Sequence, residues 1–430
     1  MARVIYSCVF CLFLPLVLVR MLLRARKAPA YRQRLWERFG IVTGALRRDG
    51  VWFHTVSVGE FLATEPLIRS FMQLHPDVPV TVTCTTPTGS EQIQKRLGKS
   101  VQHSYLPWDI PLFLYAFLWS VRPRTLVIVE TELWPNLVHC SKRMGCKVLV
   151  VNARLSEKSA KGYARFAFLS KPLLAKLDHL ACQGKADARR FLELGLSAEK
   201  LSIAGSIKFD IEPAPEVYAQ GQVYRAQWGA QRDVWLMAST HAGEDEIALA
   251  AQQRLLQKNP TALLILVPRH PERFNAVAEL VVASHLNLAR RSQMQDVNSQ
   301  TQVLLVDSMG ELMGFYAAAD IAVLGGSFVP NGGHNPLEPA ALGLPVIMGP
   351  SQFNFAQICQ QLGEAHALST VDNSTDLAKQ LNTWFENENA RSETGRNGAD
   401  VVKANQGAKQ KLLDLIADQS GLTPSGLSSH

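Results

Sequence analysis

The feature that most constrains this chain is its alternation of short, continuous apolar runs with longer amphipathic ones. VWFHTV (51–56), VPVTVTC (78–84), TLVIVE (125–130), KVLVVN (147–152), HLACQ (179–183) and LSIAG (201–205) form a first series. VWLMAS (234–239), ALLILV (262–267), VLLV (303–306), IAVLGG (321–326) and PVIMG (345–349) form a second. Between them lie helical patterns such as FLATEPLIRSFMQL and EIALAAQQRLL. A strand that is apolar without alternation is covered on both faces, so the pattern predicts parallel sheets flanked by helices. At 430 residues the chain is too long for one core and suits two domains. The openings VWFHTVSVGEFLATEPL and VWLMASTHAGEDEIALA echo one another, which predicts two Rossmann-like domains in tandem. EPAPEVYAQGQVYRAQWGA (212–230) breaks the pattern and marks the boundary. ADVVKANQGAKQKLLDLIADQ reads as a last helix, and SGLTPSGLSSH as a disordered tail.

The net charge of +7 is local: residues 1–50 hold ten Lys/Arg and two Asp/Glu, the remainder 34 and 35. A nucleic-acid-binding body carries its own basic face, so that class is excluded. The basic run follows VIYSCVFCLFLPLVLV (4–19), which is uncharged. Only Arg3 precedes it, whereas Arg24, Arg26, Lys27, Arg32, Arg34 and Arg38 follow. A signal peptide has the opposite charge order, so the segment is expected to be an uncleaved anchor that spans the bilayer or lies in its surface, with the body cytoplasmic. The basic run would attract anionic lipid headgroups. Tyr31–Phe39 and Ala164–Phe168 offer a further apolar-basic face for lipid, although such stripes more often belong to a core. Seven cysteines without framework spacing fit a reducing compartment. Cys8 and Cys11 form a CxxC inside the apolar segment, where a thiolate is costly, and no His/Cys/carboxylate spacing elsewhere suits a metal.

Ligands of open α/β sheets bind beyond the carboxyl ends of the strands, so the loops there carry the functional argument. In GGSFVPNGGHNPLEPAALGLPVIMGP (325–350), Asn335, Pro336 and Glu338 fit an N-cap, an N1 proline and a capping-box acid, and Gly343 fits the position after the helix. Capping leaves Gly325-Gly326 and Gly332-Gly333 unexplained. Glycines between a strand and a helix let a phosphate reach backbone N–H groups, and Glu338 can accept ribose hydroxyls; a sugar nucleotide accounts for the whole set. Pro268-Arg269-His270-Pro271-Glu272-Arg273 ends a strand with an arginine that can meet a phosphate or simply be solvated. Asp307-Ser308-Met309-Gly310-Glu311-Leu312 is another strand-to-helix turn. In the first series, Glu60 sits in the first turn of a helix. There the helix dipole lowers its pKa, so burial would have to offset this for it to act as a base. Glu130 and Glu132 end another strand, and Lys208 another, where it can neutralise a phosphate or pair with a carboxylate.

Taken in order, HTVSVGE, VETELWPN, NARLSEKS, GSIKFD, PRHPERF, DSMGEL and GGSFVPNGGHNPLEPA resemble the bacterial 3-deoxy-D-manno-octulosonic acid (Kdo) transferases, from about residue 30 to 360. The resemblance implies a metal-independent, cofactor-free, inverting GT-B glycosyltransferase. The donor would be CMP-Kdo and the acceptor the glucosamine disaccharide precursor of lipid A. It implies a base at Glu60 and transition-state support from Glu130 and Lys208. It implies CMP contacts at Pro268-Arg269, Met309-Gly310-Glu311 and Asn335-Pro336-Leu337-Glu338. The organisation expected is an anchor at 1–30, an acceptor domain at 31–215 and a CMP-Kdo domain at 216–420, facing a central cleft at the cytoplasmic face of the bacterial inner membrane. A UDP-sugar transferase or epimerase on the same fold, and a non-catalytic nucleotide-binding protein, are the alternatives.

Overall fold

A computed structural model describes residues 2–26, 29–42, 44 and 46–422, so most of the tail reading lies outside the described residues. Two compact units form. One runs to Lys208 and is rejoined by the chain from Gln406; the other is Phe209–Asn405.

The first unit is a parallel sheet of β1 (Val51–His54), β2 (Val80–Cys84), β3 (Gln102–Tyr105), β4 (Thr125–Val129), β5 (Lys147–Ala153), β6 (His179–Cys182) and β7 (Leu201–Ile203), in the order β3-β2-β1-β4-β5-β6-β7. Its continuous apolar strands serve two cores at once. Trp52, Leu126 and Ile128 enter one, while Val51, Phe53, Val127 and Val129 enter the other. The second unit repeats the plan with β8 (Val234–Thr240), β9 (Leu263–Pro268), β10 (Leu288–Arg290), β11 (Val303–Leu305), β12 (Ile321–Leu324), β13 (Val346–Met348) and β14 (Leu368–Thr370), in the order β10-β11-β9-β8-β12-β13-β14. Here Val234, Leu236 and Ala238 face one core and Trp235 and Met237 the other.

Two segments differ from the sequence expectation. EPAPEVYAQGQVYRAQWGA is not a linker: Pro215–Trp228 is a helix of the second unit, started by Pro215 and ended at Gly229. Gly221 lets it press against the helix Leu312–Ala318, because a Cβ there would lie 2.6 Å from the Ala317 carbonyl oxygen. Tyr224 also stacks on Phe315 with ring centroids 4.8 Å apart. The division falls instead between Lys208 and Phe209. ADVVKANQGAKQKLLDLIADQ is not one helix: Glu388–Ala404 closes the second unit, the chain breaks at Gly407 with φ at 95°, and the last helix, Ala408–Gln419, returns to the first unit and buries Ala408, Leu412 and Ile416 beside Val51 and Phe53.

The helix Ala2–Arg24 is apolar and largely exposed, with Met21 buried. Its first turns are held to the first unit. Arg3 Nη1 donates to Asn136 Oδ1 at 2.9 Å, and Asn136 Nδ2 donates to Ser7 Oγ at 2.9 Å.

His54, at the end of β1, is fully buried, and burial lowers its pKa to about 4. A histidine held neutral in the fold and free to charge when unfolded stabilises fully above its unfolded pKa of 6.5, and that contribution is lost as pH falls toward 4. The loss is on the order of 3 kcal/mol. Stability of the wild type should therefore drop between pH 6.5 and 4, and His54→Asn should flatten the drop in a pH series of thermal melts; equal slopes would refute this.

Candidate active site

Each unit has one topological switch point, where successive strands leave in opposite directions. It lies between β1 and β4 in the first unit and between β8 and β12 in the second. Ligands of open α/β sheets bind at the carboxyl edge there.

At the first switch point, β1 runs into the helix Val58–Leu74, capped by Ser57. Glu60 occupies the third helical position and turns back on the loop. Its Oε2 accepts the Val56 N–H at 2.7 Å and its Oε1 accepts the Ser57 hydroxyl at 2.9 Å. Burial pushes its pKa up to about 7, against the pull of those two donors, and the carboxylates of Glu130 and Glu132 push in the same upward direction. Burial thus outweighs the two hydrogen-bond donors that favour the ionised form. Glu130 comes directly off β4, the neighbour of β1, with φ at 59°. That left-handed geometry is uncommon for a residue with a Cβ and marks the end of this strand as a special site. Lys208 is half-buried in the short turn Ile207–Phe209 after β7, where the Ile207 N–H donates to Asn152 Oδ1 at 3.2 Å. The three carboxylates are grouped; Lys208 follows β7, the edge strand, but the Asn152 contact of its neighbour Ile207 brings that turn back to β5, the strand beside β4.

At the second switch point, a residue not singled out from the sequence organises the backbone. Glu244 is fully buried, and its carboxylate accepts N–H groups from His241 at 2.9 Å, Gly326 at 2.7 Å and Phe328 at 2.9 Å, tying the β8 loop to the β12 loop. The Gly-Glu echo between the two series was the available signal. His241 and His334 meet above this tie, Nε2 to Nε2 at 3.0 Å, with His270 edge-on to His241 at 5.4 Å. Burial lowers the pKa of His334 to about 4, so both rings are neutral at pH 7 with one donating to the other.

The expected nucleotide residues all reach this carboxyl edge. Pro268 ends β9 and is buried, whereas the Arg269 side chain is exposed and has no ion-pair partner among the described residues. Arg273, in the same motif, is instead paired with the buried Asp245 and donates to the Thr240 carbonyl at 2.8 Å. Met309 and Gly310 are exposed in the turn after β11. Glu311 pairs with Arg291 at 2.7 Å and accepts the Ser308 hydroxyl, which hold its carboxyl below the usual range. The helix near Glu338 is Leu337–Ala341, one residue shorter at its start than the capping pattern implied, and Pro336 takes the N-cap position. Asn335 still serves the turn: its Oδ1 accepts the Leu337 N–H at 3.1 Å and its Nδ2 donates to Glu338 Oε1 at 3.3 Å. Leu337 points into the core, and burial raises the pKa of Glu338.

The extra glycines have an explanation inside the chain. A Cβ on Gly325 would lie 2.5 Å from the Ser239 carbonyl oxygen. One on Gly332, at φ +82°, would lie 2.5 Å from the Phe353 ring. It is the protein's own chain that approaches these backbones. Gly325→Ala must therefore displace backbone at the second switch point, at a cost of roughly 1–3 kcal/mol. A thermal scan should show the second unit melting several degrees lower; an unchanged melt would refute the contact.

Residues 33–211 match the family described as 3-deoxy-D-manno-octulosonic-acid transferase (kdotransferase), and residues 231–401 match glycosyl transferases group 1. The chain is 41% identical over 419 residues to the 3-deoxy-D-manno-octulosonic acid transferase of Haemophilus influenzae, covering 97% of this chain and 98% of that protein. It is 35% identical over 442 residues to that of Bordetella pertussis, covering 98% and 100%. A solved glycosyltransferase from Rickettsia africae shares the fold, with a TM-score of 0.56 at 12% identity over 87% of this chain and 99% of that one. The GT-B architecture thus carries loops at both switch points that match one family along nearly the whole chain, and the chain belongs to the 3-deoxy-D-manno-octulosonic acid transferases, which are glycosyltransferases.

Proposed function

We propose that the chain transfers Kdo from CMP-Kdo to the tetra-acylated glucosamine disaccharide precursor of lipid A, in lipopolysaccharide synthesis, with inversion at the anomeric carbon. The observation that carries this is Glu60: a carboxylate at the switch point of the first unit with its pKa raised to about 7, which suits a general base at neutral pH. Glu60 takes the proton of the acceptor hydroxyl as that oxygen bonds to the anomeric carbon. The bond from carbon to the phosphate oxygen breaks on the opposite face, and CMP departs with the electron pair. Glu130 and Lys208 support the charge that develops. Arg269 meets the phosphate, Glu338 accepts ribose hydroxyls, and Pro268, Met309, Gly310, Glu311, Asn335, Pro336 and Leu337 shape the CMP site.

The exposed apolar helix Ala2–Arg24, followed by Arg26 and Arg32, fits an anchor at the cytoplasmic face of the bacterial inner membrane, where such an acceptor resides. Among the described residues no cluster of three or more His, Cys, Asp or Glu is placed to hold a metal ion. The test is an end-point assay with freshly made CMP-Kdo, the tetra-acylated acceptor and EDTA, read by mass spectrometry. A product heavier by one or more Kdo residues is expected. CMP binding without product would sink the acceptor assignment, and preferential displacement by UDP would sink the donor.

A further inference from the structure

An apolar groove of about 490 Å³ lies beside the carboxylate group of the first unit. Glu132 and Leu133 border it at one end, and Tyr6 of the helix Ala2–Arg24 also lines it. The helices Glu157–Arg165 and Ala167–Leu174 form its flank. It therefore connects the surroundings of Glu60 with the apolar N-terminal helix.

Three observations specify what enters it. The serine and threonine hydroxyls along it already take part in hydrogen bonds within the fold. Ser170 donates to the Tyr163 carbonyl at 2.9 Å, Ser159 accepts from Ser156 at 3.0 Å, and Thr131 donates to the Arg154 carbonyl. The remaining polar groups of the lining, the Glu132 carboxylate, the Trp134 indole N–H and the Tyr163 hydroxyl, are few beside Tyr6, Leu133, Pro135, Phe166, Leu169 and Leu173, so most of the groove offers a sugar or a peptide backbone no hydrogen-bond partner. Gly162 lies on the groove inside a helix, where glycine is a poor choice. A Cβ there would meet nothing within 4 Å, so packing within the fold does not demand glycine, while any larger side chain would narrow the groove. Phe166, at the junction of the two helices, borders the groove while 53% exposed, and Phe168 beside it is 62% exposed, with ring centroids 6.2 Å apart. Adjacent exposed aromatics on an otherwise ordered surface mark an apolar contact.

We propose that this groove receives one acyl chain of the lipid acceptor and so fixes the disaccharide against Glu60. The inference rests on the acceptor assignment above. Occupancy by a chain explains why the groove is apolar, opens toward the carboxylates, reaches the membrane-anchoring helix and retains Gly162.

The test uses the full chain in detergent, CMP-Kdo, and a tetra-acylated disaccharide bearing a photoreactive diazirine on one acyl chain. Irradiation should label residues within 131–135 or 159–173. Gly162→Trp should abolish that label and raise the acceptor KM about tenfold or more, the scale of excluding roughly two methylenes from an apolar site. Gly162→Ala should stay within about twofold of wild type, as a tolerated surface change does. Labelling confined to the helix Ala2–Arg24, or a KM unchanged in Gly162→Trp, overturns the groove while the acceptor assignment stands. Absence of product from the wild type overturns both.

Discussion

Glu60→Gln should lower kcat by about 10²–10⁴-fold, the range contributed by a positioned general base, with CMP affinity unchanged. Glutamine is nearly isosteric: its Oε1 can accept the Val56 N–H, and its Nε2 then donates to a Ser57 Oγ that turns its own proton away, so the loop keeps its shape and only the proton acceptor is removed. Two pH signatures separate this from structural damage. The carboxyl holds its proton below about 7, so the wild-type rate should climb as pH rises through that value, and the variant should lack the step. Stability should move the other way. A carboxyl whose folded pKa lies above its ordinary 4.5 stabilises the fold below 4.5, and that contribution is lost as pH rises through 7. At pH 8 the wild type therefore carries a burial penalty that the variant lacks, and Glu60→Gln should melt higher there and no higher at pH 4. A variant that is inactive and also less stable at pH 8 would mean that Glu60 is a capping residue only.

The same residue shows what a sequence discloses. Glu60 is legible as an acid in the first turn of a helix, because it follows a strand and opens an amphipathic run. Whether the carboxyl becomes a base depends first on burial, which only the packed fold supplies, and then on Glu130 and Glu132, brought close because β4 pairs with β1 across about seventy residues of chain. The central strands were equally legible, since burial on both faces forces continuous apolar runs. The strands missed, β3, β10 and β14, are all sheet edges, and their sequences QHSY, LAR and LST are short and partly polar. An edge strand has only one neighbour and less cover, so composition does not announce it. Glu244 was hidden for a different reason. The Gly-Glu echo marks its position, but its role is to bind backbone N–H groups more than eighty residues away, and that pairing is set by the fold.

Arg269→Ala should weaken CMP binding by about 10- to 100-fold, matching the 1.5–3 kcal/mol of a hydrogen bond to a charged group. The loss in kcat/KM should be larger still, because the charge on the phosphate grows as CMP leaves. The motif PRHPERF contains two arginines; the family resemblance assigns the CMP contact to Arg269, and the structure gives the two side chains different surroundings. Arg273 is spent on Asp245, which is fully buried and also accepts the Thr240 hydroxyl at 2.5 Å. Removing it strands a buried carboxylate, at a cost of roughly 3–5 kcal/mol, so Arg273→Ala should lower the melting temperature first and affinity only as a consequence. Arg269 is exposed and tied by its backbone alone, through its N–H to the Thr240 carbonyl at 3.0 Å, so Arg269→Ala should melt like the wild type. Arg269→Lys should recover part of the affinity, since lysine restores the charge but not the two-pronged geometry. Calorimetric titration with CMP beside thermal melts decides the matter: full CMP affinity in Arg269→Ala would move the phosphate to another cation, and a melting loss equal to that of Arg273→Ala would make Arg269 structural as well.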